Sequence, residues 1–202
     1  MDFDFNYSSV ASIVNAAEKN NSPISALILA QQAQQMEESE EALYSRMREN
    51  FQVMSQCIEP GSSRDVKSTS GLTGGSAYKM RRVAEGGGSL TGSLMAGALY
   101  RALAVSELNA SMGRIVAAPT AGSCGILPAA LLTMQAEKGC PEHDCVMAMF
   151  TASAIGMVIA NNASLAGAQG GCQAECGSAA AMAAGAIVEL AGGTPRQVSH
   201  AV

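Results

Sequence analysis

Two long stretches without a charged residue constrain the fold of this chain more than any other feature. They run from 115 to 136 and from 145 to 174, and each is long enough to cross a bilayer as a helix of about 20 residues. Their apolar content is mostly Ala, Gly, Ser and Thr, and Pro119 and Pro128 interrupt the first stretch, so the drive for membrane insertion is weak. The sequence therefore predicts buried helices of a soluble protein, with a membrane helix bundle as the alternative.

Small side chains decide how such helices can pack. Hydrophobic residues make up 48% of the chain, but aromatic residues only 4%, and the sequence contains 21 Gly and no Trp. Because small side chains fill little space, the helix backbones must approach one another closely. The net charge of −5 argues against a nucleic-acid partner. No secretory signal is visible, so the six Cys are expected to be thiols in a reducing, cytoplasmic compartment.

Apolar spacings of three and four residues predict a mainly α fold, a helical catalytic domain with Gly-rich active-site loops. Residues 1–60 are predicted to form an amphipathic helical arm that carries most of the charge and serves packing. Glu59-Pro60-Gly61 ends this arm, and residues 61–202 form the predicted helical core.

The loop that follows the arm is rich in hydroxyl groups and glycines. Glycines let a backbone approach a ligand, and successive N–H groups can hold an anion such as a carboxylate. Lys79 lies four residues past Gly75 and could reach the same anion if a helix starts there. The alternative interpretation is a flexible linker. The candidate binding residues are Ser68, Ser70, Gly71, Thr73, Gly74, Gly75 and Lys79.

A second turn of this kind spans 119–125 and contains Thr120, Ser123 and Cys124. A thiol at a helix N-terminus can be a nucleophile, because the helix dipole lowers its pKa. No recognisable His partner supports that role for Cys124, and a small buried Cys is the alternative.

Cys172 and Cys176 are four residues apart, which places both thiols on one face of a helix. A metal role and simple packing both remain open, since a C-x3-C spacing alone is a weak signal. A pyridoxal-phosphate lyase is a further alternative, but of the four lysines only Lys79 lies near a candidate loop.

Three stretches of the sequence resemble the alpha chain of the iron–sulfur-dependent bacterial L-serine dehydratases, also called L-serine ammonia-lyases. They are NASMGRIVAAPTAGSCG at 109–125, TASAIGMVIANNAS at 151–164 and GGCQAECGSA at 170–179. The resemblance implies a mostly helical lyase of amino-acid degradation and gluconeogenesis, which converts L-serine to pyruvate and ammonia. It also implies a 4Fe-4S cluster held by three Cys, whose fourth iron acts as a Lewis acid, and no pyridoxal phosphate.

Carried over residue by residue, the resemblance assigns Cys172 as one cluster ligand. The family's other two ligands follow beyond the position of Val202, so the resemblance implies a catalytic unit that is C-terminally incomplete and inactive as an isolated chain. Cys124 and Cys176 remain candidates near the site. No residue is assigned as the general base.

The resemblance further implies that the loop at residues 68–76, called the 70s loop below, closes over the substrate carboxylate, with Lys79 nearby. Thr120, Ser123, Asn161 and Asn162 are expected to line the same cavity, and helix capping is an equal alternative for the two asparagines. The expected partners are L-serine, a serine dehydratase beta chain and further copies in an oligomer.

Overall fold

The computed structural model describes residues 7–202, and these residues form ten α-helices and one short 3₁₀ turn, with no β-strand among them. The predicted mainly α fold is confirmed. The helices are α1 (Val10–Lys19), α2 (Ile24–Met36), α3 (Glu40–Gln56), α4 (Ile58–Gly61), α5 (Ser76–Glu85), α6 (Gly92–Ala110), α7 (Ile126–Lys138), α8 (Glu142–Asn162), α9 (Gly167–Leu190) and α10 (Pro195–Ala201), and the 3₁₀ turn is Ala121–Ser123.

Local sequence signals set several helix ends. Ser9 caps α1 by accepting a hydrogen bond from the backbone N–H of Ser12, and Thr194 caps α10 in the same way, one residue before Pro195. Such caps satisfy N–H groups that have no partner within the helix. At the C-terminal end of α7, Gly139 adopts a left-handed conformation with a φ of 69°, which glycine reaches without steric cost.

The chain divides into two compact units. The first combines the described residues up to Glu49 with Cys140–Val202, and the second is Asn50–Gly139. The chain passes from the first unit to the second within α3 and returns to the first between Gly139 and Cys140. The division predicted from composition, 1–60 and 61–202, stays a prediction, and the two compact units are described separately below.

In the first unit, α8 packs against α2 and α9, and α10 packs against α9. Val146, Phe150 and Ile155 of α8 are almost fully buried. Glycine lets α9 approach this core, because a Cβ placed at Gly185 would lie only 2.2 Å from Cδ1 of Ile155. The close helix packing predicted from the small side chains is therefore present here.

The same α8 is the one helix in the described part of the chain that is long and apolar enough to cross a membrane, judged by length and composition. Most of it is buried within the protein, 61% of its most apolar window. Core helices of globular proteins pass the same test, and the burial of α8 agrees with the predicted buried helix.

In the second unit, α6 packs against α4, α5 and α7. Glycines permit two of these contacts. A Cβ at Gly61 would lie 2.0 Å from the carbonyl oxygen of Ala104, and a Cβ at Gly125 would lie 2.4 Å from that of Ala102. The backbones of α4 and of the turn before α7 therefore rest directly on α6, which places the loops that follow α4 and precede α7 beside the same helix.

Candidate functional site

The Ser- and Thr-rich loop of the second unit folds into a turn that is held by its own hydrogen bonds. The Ser68 N–H donates to the Thr73 carbonyl at 2.9 Å, and the Gly71 N–H donates to the Ser68 carbonyl at 2.8 Å. The Ser68 hydroxyl accepts from the Thr73 N–H at 3.2 Å and lies 3.1 Å from the Ser70 hydroxyl. Ser70, Gly71 and Thr73 remain exposed to solvent. The loop thus presents hydroxyl groups on a defined backbone.

The end of this loop leads directly into α5. Gly74 has a φ of 143°, and a Cβ there would lie 2.2 Å from the Val66 carbonyl oxygen. Gly75, with a φ of 81°, is the N-cap residue of α5. A side chain at Gly74 would therefore meet both strain and a clash. Lys79 lies in the first turns of α5 and is exposed, as expected for a helix that starts just after Gly75.

A carboxylate of the protein itself binds the N-terminus of α5. The Glu107 side chain accepts hydrogen bonds from the Gly75 N–H at 3.0 Å and the Ser76 N–H at 2.8 Å, and the residue is only 9% exposed. The role of Glu107 is not visible in the sequence, because a single Glu in an apolar helix gives no hint of a partner 31 residues away. These two N–H groups are occupied, which leaves the hydroxyls and Lys79 for a ligand.

The second turn is attached to the same end of α6. The Asn109 side-chain amide donates to the Ala121 carbonyl at 3.0 Å, and the Thr69 N–H of the first loop donates to the Ala110 carbonyl at 3.0 Å. The C-terminal end of α6 therefore holds both Gly-rich turns.

Within this turn, the hydroxyls of Thr120 and Ser123 are 3.2 Å apart, and Ser123 is 2% exposed. The Ser123 hydroxyl also lies 3.4 Å from the carbonyls of Ala118 and Thr120. The peptide bond between Ala118 and Pro119 is cis. Of the two hydroxyls, that of the half-buried Thr120 is the more accessible.

Cys124 is buried in an apolar cluster with Cys57 and Val105, and it is 1% exposed. Burial, with a smaller contribution from the neighbouring Cys57, raises its pKa from 9.0 to about 11. The protonated form of the thiol therefore predominates at neutral pH, which disfavours the role of nucleophile considered from the sequence. The geometry favours the alternative, a packed thiol.

In the first unit, Asn161 and Asn162 end α8. The Asn162 side-chain amide donates to the Val158 carbonyl at 2.8 Å and to the Ser8 carbonyl at 3.0 Å. It thus secures both the last turn of α8 and the segment before α1. Asn161 is exposed to solvent. The bonds of Asn162 match the capping interpretation more closely than the lining of a cavity.

Cys172 and Cys176 lie on consecutive turns of α9. The helix is interrupted at Gly171, whose φ of 77° and ψ of 175° are not helical, so Cys172 is the first residue after the break. The two Sγ atoms are 3.7 Å apart, with Cys172 exposed and Cys176 partly buried. The hydrogen bond to Cys172 is the main cause of a raised pKa at Cys176. Across residues 7–202, no group of three or more His, Cys, Asp or Glu is arranged to hold a metal ion.

A second glutamate that the sequence analysis missed lies in the first unit. Glu189 accepts hydrogen bonds from the N–H groups of Ile24 at 3.1 Å and Ser25 at 3.2 Å, and from the Thr151 hydroxyl at 2.8 Å. It therefore accepts hydrogen bonds from N–H groups at the N-terminus of α2, as Glu107 does at the N-terminus of α5. In the sequence, Glu189 follows a long apolar stretch of α9, which gives no sign of this role.

The structure thus brings together two groups of predicted site residues. The 70s loop, Lys79 and the turn with Thr120 and Ser123 are arranged around α6 in the second unit, and Asn161, Asn162 and Cys172 lie on α8 and α9 in the first. That all of them line one cavity stays a prediction.

A sequence model of one family, the serine dehydratase alpha chain, matches residues 19–202. Similar sequences carry related names. The "Probable L-serine dehydratase, alpha chain" of Bacillus subtilis (strain 168) is 41% identical over 196 residues, which cover 97% of this chain and 65% of the relative. The "L-serine dehydratase, alpha chain" of Peptoniphilus asaccharolyticus is 37% identical over 189 residues, which cover 94% of this chain and 65% of the relative.

A longer relative is similar to the same region. The "L-serine dehydratase" of Streptomyces coelicolor (strain ATCC BAA-471 / A3(2) / M145) is 37% identical over 196 residues, which cover 94% of this chain and 42% of that protein. The chain therefore spans just under two thirds of the two alpha-chain relatives and less than half of this one.

Proposed function

The chain belongs to the serine dehydratase alpha chain family, and we propose that it acts, together with a serine dehydratase beta chain, as an L-serine ammonia-lyase that converts L-serine to pyruvate and ammonia. The observation that carries this proposal is the family match over residues 19–202. That region contains the 70s loop, the turn at 119–125 and the C-x3-C segment, so the match includes every candidate site residue.

Dehydration of serine makes three demands on a protein. The substrate carboxylate must be held, the hydroxyl must become a better leaving group, and a base must remove the Cα proton. The 70s loop and Lys79 are suited to the first demand. Ser70 and Thr73 present exposed hydroxyls on a backbone secured to α6, and the ammonium of Lys79 lies on the following helix. We assign the carboxylate of L-serine to these groups.

The proposed cofactor is a 4Fe-4S cluster, with Cys172 as one ligand. An exposed thiol just after a break in a helix can reach a cluster, and thiolates are the usual ligands of iron–sulfur centres. No group of three or more potential metal ligands is brought together among the described residues, so the proposal requires ligands besides Cys172 from outside them. When bound, a cluster with an open iron position would supply a Lewis acid that polarises the serine hydroxyl.

Anaerobic reconstitution with iron and sulfide tests the proposal, using the chain extended past Val202 to supply the further ligands, together with a beta chain. Wild type, Cys172→Ser and Cys140→Ser are compared by iron and sulfide content, by visible absorption and by pyruvate formation. We expect Cys172→Ser to lose the absorption band and pyruvate formation together, because one missing thiolate leaves an iron unanchored. Cys140→Ser is the matched control and should keep both. Pyruvate formation by a preparation free of iron, or an unchanged Cys172→Ser variant, would refute the cofactor assignment.

The carboxylate site is tested separately. Lys79→Met removes the ammonium and keeps most of the side-chain length, and Lys67→Met does the same for an exposed lysine just before the loop. If Lys79 holds the substrate carboxylate, its variant should raise KM for L-serine about 10-fold, a typical loss of a charge-assisted hydrogen bond, while Lys67→Met changes KM little. Equal KM values in the two variants would contradict the assignment.

The proposed setting is the cytoplasm, and the proposed assembly is an oligomer with the beta chain. Co-expression with a tagged beta chain tests the partnership: the tagged chain is captured, and light scattering measures the mass of the captured complex. Recovery of this chain only in the unbound fraction would count against it.

A further inference from the structure

Cys172 and Cys176 face each other across one turn of α9, with their Sγ atoms 3.7 Å apart. We propose that this pair is a site of reversible oxidation, at which hydrogen peroxide produces an intrachain disulfide. The proposal does not depend on the proposed cofactor, because it concerns the chain without a bound metal.

The backbone geometry is compatible with a disulfide. Residues four apart in an α-helix have Cα atoms about 6.2 Å apart, and disulfides span Cα separations of roughly 4.4 to 6.8 Å. The Sγ atoms must move from 3.7 Å to about 2.05 Å. The Cβ atoms, about 5 to 6 Å apart at this spacing in a regular helix, must also approach to about 3.5 to 4.5 Å. The disulfide therefore requires a local bend of α9 at Cys172 as well as side-chain rotation.

The break in α9 makes that bend easier. Gly171 has non-helical φ and ψ values, and Cys172 directly follows it. The N–H groups in the first turn after a break lack partners in the preceding turn of helix. Cys172 therefore lies where the helix is already interrupted, which lowers the cost of a local bend.

Solvent exposure favours the oxidation of Cys172 and Cys176 over that of the buried cysteines. Cys172 is exposed and Cys176 is partly buried, whereas Cys57, Cys124 and Cys145 are each at most 1% exposed. Burial also raises the pKa of Cys124 and Cys145 to about 11, so their reactive thiolate forms are scarce near neutral pH. Cys140 is partly buried and serves as the comparison thiol.

The reaction with hydrogen peroxide conserves atoms and electrons. The Cys172 sulfur attacks one peroxide oxygen, the O–O bond breaks, and a sulfenic acid and one water form. The Cys176 sulfur then attacks the Cys172 sulfur, the S–S bond forms, the S–O bond breaks, and a second water leaves. Two thiols lose two electrons and two protons, and one peroxide becomes two waters. A dithiol reverses the reaction by thiol–disulfide exchange.

The test uses the full chain, freed of metal and fully reduced, then treated with hydrogen peroxide, denatured and alkylated. We expect two fewer alkylated thiols than in the reduced chain, which has six, and a peptide in which Cys172 and Cys176 are joined. A dithiol should restore all the thiols. Cys140→Ser should show the same loss of two thiols, and Cys176→Ser should instead leave Cys172 as a sulfenic acid that dimedone traps.

Any other outcome for the wild-type chain overturns the proposal. Such outcomes are a linkage between different cysteines, a disulfide between two chains, or six thiols that all remain alkylatable. The proposal also fails if Cys176→Ser still loses two thiols. Far-UV circular dichroism of Cys176→Ser, compared with wild type, establishes that α9 is intact.

Discussion

The carboxylate of Glu107 accepts a 2.8 Å hydrogen bond from the backbone N–H of Ser76, and its other oxygen accepts from Gly75. A residue of α6 therefore caps α5 and fixes the end of the 70s loop. A negative charge at a helix N-terminus interacts favourably with the helix dipole. The proposed carboxylate-binding loop is thus held in place by a carboxylate of the protein itself.

Glu107→Ala should lower the free energy of unfolding by about 2 kcal/mol, because two N–H groups lose a charged acceptor. Glu107→Gln retains one acceptor oxygen and should cost less. Urea unfolding of the two variants and of Glu49→Ala, a change at an exposed helical glutamate, provides the measurement. A stability of Glu107→Ala equal to that of Glu49→Ala would show that the bonds to Gly75 and Ser76 contribute nothing.

Gly74 and Gly71 separate backbone strain from steric clash. Both have positive φ values, of 143° and 74°, but a Cβ at Gly74 would lie 2.2 Å from the Val66 carbonyl, and one at Gly71 would meet nothing within 4 Å. Gly71→Ala should therefore cost about 1 kcal/mol through strain alone. Gly74→Ala should cost at least about 3 kcal/mol, since the loop must move. Urea unfolding measures both, and equal costs would contradict the tight approach to Val66.

Stability should fall at alkaline pH because of the buried thiols. Burial raises the pKa of Cys124 and Cys145 from 9.0 to about 11. Between these values the unfolded chain releases the proton and the folded chain keeps it. Their contribution to stability is therefore complete below pH 9 and is lost as the pH rises toward 11. Each thiol should lower the free energy of unfolding by about 1.4 kcal/mol per pH unit in this window.

Variants in the apolar cluster of Cys57, Val105 and Cys124 test how steeply the free energy of unfolding falls with pH. Cys124→Ala removes a titrating thiol and should flatten the decline, as measured by urea unfolding across the alkaline range. Val105→Ala leaves a cavity in the same cluster but keeps the thiol, so it should destabilise the chain at every pH without a change of slope. A decline that stays as steep in Cys124→Ala as in wild type would mean that other groups cause it.

Asn162 and Asn161 test the capping interpretation. Asn162→Ala loses bonds to the carbonyls of Val158 and Ser8 and should cost about 1 kcal/mol in unfolding free energy. Asn161→Ala, at the neighbouring exposed position, should cost little. If Asn162 lines the substrate cavity instead, its variant should raise KM for L-serine while stability stays near that of wild type.

The helices were largely predictable because their signals are local. Apolar spacing predicts helices from residues three and four apart, and the structure is mainly helical as predicted. The three quoted stretches were also sufficient to predict the family to which the chain belongs. The roles of Glu107 and Cys124 were not predictable, since each depends on partners from distant parts of the chain.

By itself, the sequence determined a helical chain with small side chains at its helix contacts, and the family motifs of a serine dehydratase alpha chain. Only the tertiary structure decided that Glu107 occupies the N–H groups of Gly75 and Ser76, that Cys124 is desolvated, and that Cys172 remains exposed. The physical reason is the range of the interactions. Helix formation depends on residues three and four apart, whereas the burial of a thiol and the occupancy of a hydrogen-bond donor depend on segments that meet only after folding.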